Sequence, residues 1–200
     1  MESLLNSLLP VQSVRSCRVI DLATGGLSWP VQIADERGDW HTLEKHDPLP
    51  DGEVIRIRRS WLGALIPRAI YETIGPVEGR LFIRGEDEDY PRRIENVGFP
   101  VFMVSQSILH HPPAGELLRL KLPGREIVLE RGLPPLTLYY RLRNSWWLTK
   151  RDAGTVGALT LASFHFLLLV KDRSPLKSWL PVWVEALKDA MTGKLGIRKK

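Results

Sequence analysis

AGTVGALTLASFHFLLLV, Ala153–Val170, is an eighteen-residue run without a formal charge. That is the lower bound for a helix crossing a bilayer, so its reading decides the class of the fold. Gly154, Thr155, Gly157, Thr160, Ser163 and His165 dilute its hydrophobicity, and the chain has no partner span. The run therefore reads as a buried core helix, with two strands or a membrane segment as the alternatives. His165 reads as a core histidine with one backbone partner. Downstream, Ser174-Pro175 makes an N-cap and first helical residue. Leu176, Trp179, Leu180, Trp183, Val184, Leu187 and Met191 then recur at helical spacing over 175–192, and Gly193 is a C-terminal stop. Pro181 predicts a kink. The tail, 194–200, is basic and frayed.

Upstream, 11–150 reads as strand-rich. Val14–Leu22 is a strand ending in the turn Thr24-Gly25-Gly26. Val31–Ala34 and Trp40–Leu43 flank a hairpin loop with Gly38 free to take positive φ. Glu53–Arg58 alternates as a strand should. Ser60 caps an expected helix over Trp61–Thr73, which Pro67 kinks or divides. Val77–Arg84 reads as a strand, Glu86–Asp89 as an exposed acidic loop, and Phe99–Ile108 as an apolar strand. Glu116–Leu122 and Arg125–Arg131 flank Pro123-Gly124, the clearest hairpin signal. Leu136–Arg143 reads as a further strand.

These elements predict a single domain, 1–200, of α+β class. An antiparallel, curved sheet of about six to eight strands is packed by two C-terminal helices, within 153–193, and one short mid-chain helix. A chain of this length buries enough surface to fold without disulfides, and Cys17, the lone cysteine, can form none within the chain. Met1–Pro10 lacks a basic n-region and a long apolar run, so a cytoplasmic protein is expected, with peripheral membrane association as a variant. Leu4, Leu5, Leu8 and Leu9 read as a short amphipathic turn.

Net charge is +5, but it is unevenly placed. Residues 1–100 hold 12 Lys/Arg and 16 Asp/Glu, a balance of −4; residues 101–200 hold 16 and 7, a balance of +9. Basic surfaces favour nucleic acid, anionic lipid or acidic proteins.

Motifs for catalysis are missing. There is no Gly-x-Ser-x-Gly elbow, phosphate loop or dinucleotide turn, and one cysteine cannot build a zinc site. No cofactor or metal is expected, and the chain leans away from being an enzyme. The remaining enzymatic option is an unrecognised site near His41 and His46, which lie beside Glu44 and Asp47. Asp21–Gly26 is similar to the Asp-x-Ser-x-x-Gly turn of cyclic-dinucleotide-binding PilZ domains. Ala23 replaces its Ser and the upstream Arg-x-x-x-Arg is missing, so no ligand is expected from it.

The strands carry a repeated pattern, since alternate residues of a strand share a face. Arg56 and Arg58 oppose Ile55 and Ile57; Arg80 and Arg84 oppose Leu81 and Ile83. Arg119 and Lys121 oppose Leu118, Leu120 and Leu122; Tyr139, Arg141 and Arg143 oppose Leu138, Tyr140 and Leu142. On one sheet these rows make a basic face with aromatic relief, suited to phosphates and stacked bases. The expected function is a non-catalytic protein binding an anionic partner, nucleic acid or nucleoprotein, through that face. RNA, DNA and anionic lipid all remain candidates. The alternative is a matrix-like structural protein that self-assembles on anionic membrane, with Trp179 and Trp183 as lipid or partner contacts.

Overall fold

The computed structural model describes residues 9–50, 52–112, 115–123, 125–173 and 175–198, with Arg125 by its backbone alone. The expected leucine turn at Leu4, Leu5 and Leu8, the hairpin glycine Gly124, the N-cap Ser174 and the last two lysines lie outside these residues. Among the described residues the chain is α+β, with a six-stranded open sheet, a two-stranded sheet and four α-helices, two of them C-terminal. It divides into two compact units. One comprises the chain up to Val77 with Asp87–Ala114; the other comprises Glu78–Glu86 with Gly115 onward.

The first unit contains β1 (Val14–Ile20), β2 (Val31–Ala34), β3 (Trp40–Leu43), β4 (Val54–Ile57), β5 (Ala64–Leu65), α1 (Arg68–Ile74), α2 (Glu86–Val97) and β6 (Val101–His110). The strand order is β3-β2-β4-β6-β1-β5. All neighbours are antiparallel except β1 and β6, which run parallel. Alternation along the strands sends Val14, Ile33, Ile55, Ile57, Val101 and Met103 to one face. There they pack on Ile70 of α1 and on Tyr90 and Ile94 of α2. Arg93 joins the two helices by donating to the carbonyls of Ile74 at 2.8 Å and Pro76 at 2.7 Å.

Two expectations in this unit are corrected. Pro67 does divide the stretch Trp61–Thr73, as expected, but the part before it is a turn and the short strand β5 rather than helix, and α1 starts only after it. Proline biases the residue before it away from helical backbone, so Ile66 cannot carry a helix through. Glu86–Asp89 is not a loop but the first turn of α2. Four carboxylates suit that place because a helix N-terminus favours negative charge.

The second unit contains β7 (Leu117–Leu122) paired with β8 (Arg125–Glu130), α3 (Pro135–Lys171), α4 (Leu176–Thr192) and a 3-10 turn at Gly79–Leu81. The α3 helix is broken at Gly154, whose φ of 74° and ψ of 177° belong to a region only glycine occupies readily. Its two arms double back. Trp146 Nε1 lies 3.0 Å from His165 Nδ1, whereas nineteen residues of continuous helix would separate them by about 28 Å. Trp146, His165, Trp179, Leu168, Leu169, Val182 and Ala186 are buried in the shared core of the two arms and α4. By length and composition α3 is the one helix among the described residues long and apolar enough to cross a membrane. Gly193, in left-handed conformation, ends α4 as its position in the sequence predicts.

Leu136–Arg143 is helix, not strand, and Val77–Arg84 is a turn and loop, not strand. One buried side chain accounts for the second correction. Asn144 Nδ2 lies within hydrogen-bond reach of the carbonyls of Leu81 (3.0 Å), Ile83 (3.0 Å) and Arg84 (2.6 Å). These backbone acceptors are satisfied by an amide rather than by a neighbouring strand. Arg143 completes the lock: its guanidinium donates to Asn144 Oδ1 at 2.8 Å, Gly196 O at 2.7 Å and Leu81 O at 3.1 Å. Gly85 (φ 97°) follows the loop, and a Cβ there would sit 3.1 Å from the Cβ of Asn144.

Candidate functional site

Among the described residues, α1 and α2 pack on one face of the six-stranded sheet, and the residues of the other face follow from its register. Arg56 pairs with Phe102, and Phe102 pairs with Arg15. On the other side Ile33 pairs with Ile57, which sets Ala34 beside Arg56, and Ala34 pairs with Trp40. A single row therefore crosses five strands as Trp40, Ala34, Arg56, Phe102, Arg15. Ile55, Ile57, Val101, Met103, Val14 and Ser16, the chain neighbours of these residues, are buried on the opposite face.

Trp40 is 41% exposed, Arg56 is exposed, and Phe102 and Arg15 are half-buried. The small Ala34 lets the indole lean across β2, placing Arg56 Cζ 5.8 Å from the Trp40 ring centre. That is within the range of a cation–π contact. Arg56 has no carboxylate partner among the described residues. Strand spacing puts Trp40 and Phe102 about 14 Å apart, with the Arg56 guanidinium between them. Trp40 is held by its hairpin turn, where the Asp35 carboxylate accepts from the N–H groups of Arg37 and Asp39, each at 2.9 Å.

Arg58 follows the end of β4 and is engaged by α2. It donates to Glu95 at 2.6 Å and to the Gln32 side chain at 3.2 Å. Arg59 also pairs with Glu95. Burial acts to raise Glu95, but the two guanidinium groups outweigh it and hold the carboxyl below its usual range.

The other expected contacts lie in the second unit and do not extend this sheet. Arg80 is in the 3-10 turn, bound to Glu78 at 2.6 Å and 5.9 Å from the Trp147 ring. Arg84 pairs with Glu130 at 2.9 Å, and Arg119 with Glu126 at 2.6 Å on the β7–β8 hairpin, where Lys121 is exposed. Tyr139, Arg141 and Arg143 are on a helix. Arg141 is half-buried, while Tyr139 and Arg143 are 1% exposed. Tyr139 donates to Asp189 at 2.6 Å, and Arg143 lies over the Tyr139 and Tyr140 rings at 5.3 and 4.9 Å. These groups are core. Trp179 is core as well, at 3% exposed; half-buried Trp183 packs against that core, and both lie edge-on to Phe166.

Trp40, Phe102 and Arg15 were not among the expected contacts. Phe102 was legible in part, because alternation between buried Val101 and Met103 sends it outward. The row itself depends on register, which no local pattern states.

Elsewhere in the first unit an apolar hollow of about 410 Å³ is walled by Trp61, Ile66, Tyr71, Val77 and Tyr90, with Arg68 at its edge. Arg68 pairs with Glu72 at 2.7 Å, and burial pushes the Tyr90 hydroxyl above its usual pKa, so it stays protonated. His41 and His46 are both exposed, and Asp47 turns its carboxylate to the Glu44 N–H at 2.8 Å. No three His, Cys, Asp or Glu side chains gather as a metal cluster among the described residues.

Compared with protein-family models, with curated proteins and with solved structures, the chain matches none.

Proposed function

We propose that this protein is a non-catalytic binding protein that engages single-stranded nucleic acid on the face of its six-stranded sheet opposite α1 and α2. The observation that supports the reading is the row Trp40–Arg56–Phe102. Two aromatic rings bracket a guanidinium with no carboxylate partner among the described residues. Bases stack on aromatic faces whatever their sequence, and a guanidinium offers phosphate a bidentate donor. A duplex hides its base faces, so single strands fit this surface and duplexes do not. The charge that matters is local: Arg56, which has no carboxylate partner among the described residues, rather than the basic excess of the second half.

The test is fluorescence anisotropy of a labelled single-stranded oligonucleotide. The expected outcome is binding at low salt that weakens linearly on a log–log plot, with a slope of about −0.7 per phosphate neutralised. An equal affinity for duplex of the same length, or no binding at 20 mM salt, contradicts the proposal.

A further inference from the structure

The second arm of α3, 155–171, carries an apolar face that no described residue of the second unit covers. Ala158, Ala162, His165, Leu168 and Leu169 point into the core. Val156 (78% exposed), Leu159 (43%), Leu167 (53%) and Val170 (48%) are on the opposite side, with Thr160 and Ser163 among them. At helical spacing these six residues fall within an arc of about 100° and run for about 21 Å.

The polar members of this stripe are already satisfied. Thr160 Oγ1 donates to Val156 O at 2.9 Å, and Ser163 Oγ donates to Leu159 O at 3.0 Å. Drying the face therefore strands no hydroxyl donor, and burying an unsatisfied donor is the usual cost of taking such a face out of water.

Charge at the end of the stripe is the second observation. Lys171, Arg173 and Lys177 follow within one turn and a short loop, and all are exposed. None has a carboxylate partner among the described residues. Asp172, between them, is taken by Arg131 at 2.7 Å. Most arginines of this unit are paired, as in Arg80–Glu78, Arg84–Glu130, Arg119–Glu126 and Arg198–Glu185, so three uncompensated cations at one place stand out. Leu176, 52% exposed, sits among them.

We infer that this face is a peripheral membrane-binding surface for anionic lipid, with the arm lying in the headgroup plane. The aliphatic stripe would enter the acyl boundary while Lys171, Arg173 and Lys177 meet lipid phosphates and carboxylates. A spanning helix does not fit, because the arm's other side is packed on protein and the chain reverses at Gly154. A second copy fits poorly. The stripe offers roughly 400 Å² a copy, so a pair buries about 800 Å², less than the 1,200–2,000 Å² of a stable interface. This surface belongs to the second unit and the sheet face to the first, and the inference does not rest on the nucleic-acid reading.

The experiment is flotation of the full chain with vesicles of phosphatidylcholine alone, or of phosphatidylcholine with 30% phosphatidylserine, at low salt. The protein is expected to float with the anionic vesicles only. Each cation is worth roughly fivefold in partitioning, so the triple variant K171Q/R173Q/K177Q should bind about 100-fold more weakly. L159S/L167S should also release the protein, with circular dichroism confirming its fold. R56A should float like the parent. The inference is overturned if the parent stays free of anionic vesicles, or if neutral vesicles bind as well. It is equally overturned if neither stripe nor cation variants change flotation, if R56A abolishes it, or if sedimentation shows a dimer that L159S/L167S dissociates.

Discussion

Replacing Asn144 with alanine removes one small side chain and unpairs an entire loop. The Asn144 amide has two N–H donors, shared among the carbonyls of Leu81, Ile83 and Arg84 at 2.6–3.0 Å, while its oxygen accepts from Arg143 Nε at 2.8 Å. The residue is fully buried. Each buried group left without a partner costs about 1–3 kcal/mol. Leu81 O keeps the Arg143 bond at 3.1 Å, which leaves two carbonyls and one guanidinium N–H orphaned. Water entering the space offsets part of the loss, so Asn144→Ala is expected to destabilise the second unit by roughly 3–5 kcal/mol. Chemical denaturation followed by tryptophan fluorescence reads it, since Trp146 and Trp179 are in that unit's core and Trp183 packs against it. Asn144→Asp separates the contributions. It keeps the acceptor for Arg143 and adds charge attraction, but it supplies no donor and places an anion against three carbonyl oxygens. A loss under 1 kcal/mol in Asn144→Ala refutes the view that a distant side chain holds 78–86 in its turn.

Two further outcomes follow from the same unit. Gly154→Ala forces a side chain into a glycine-only backbone region and is expected to cost about 1–3 kcal/mol. Because straightening the break relieves that strain, light scattering should also show exchanged dimers; a monomer of unchanged stability would contradict the assigned backbone. Burial, reinforced by its bond to Asp189, pushes the Tyr139 hydroxyl up to about 12. Its protonated form is thus favoured in the fold. The stability it contributes is intact below pH 10 and is lost as pH rises toward 12. Tyr139→Phe should flatten that alkaline limb, which denaturation midpoints across pH 8–12 would reveal.

The α+β class and several elements were legible because local pattern and final structure agree. The 31–43 hairpin, the alternation of β4, the 117–130 hairpin and the helix closed by Gly193 are of this kind. Two of the failures share a cause: the deciding partner is far away in sequence. Val77–Arg84 alternates like a strand, yet its carbonyls belong to Asn144, some sixty residues on. Leu136–Arg143 also alternates, and only the near-complete burial of 138–146 reveals a helix wrapped by its unit. Glu86–Asp89 reads as a solvated loop because charge suggests exposure, although a helix N-terminus stabilises the same carboxylates. At the candidate site, Arg56 was legible from alternation along one strand. Trp40 and Phe102 join it only through the pairing of β3, β2, β4 and β6. Arg143 shows the opposite error, since a basic residue with an anion-binding pattern serves instead as a buried bracket for backbone carbonyls.

The central claim is that the Trp40–Arg56–Phe102 row holds single-stranded nucleic acid. The most direct measurement compares oligonucleotide affinity of the parent with Trp40→Ala/Phe102→Ala and with Arg56→Ala, each checked for retained fold. Stacking contributes about 1–3 kcal/mol per base, so the aromatic double variant should bind at least about 30-fold more weakly, with its salt slope unchanged. Arg56→Ala should reduce that slope by about 0.7. If both variants bind like the parent, or if the loss in the aromatic variant disappears at raised salt, nucleic acid does not sit on this face and the account is wrong.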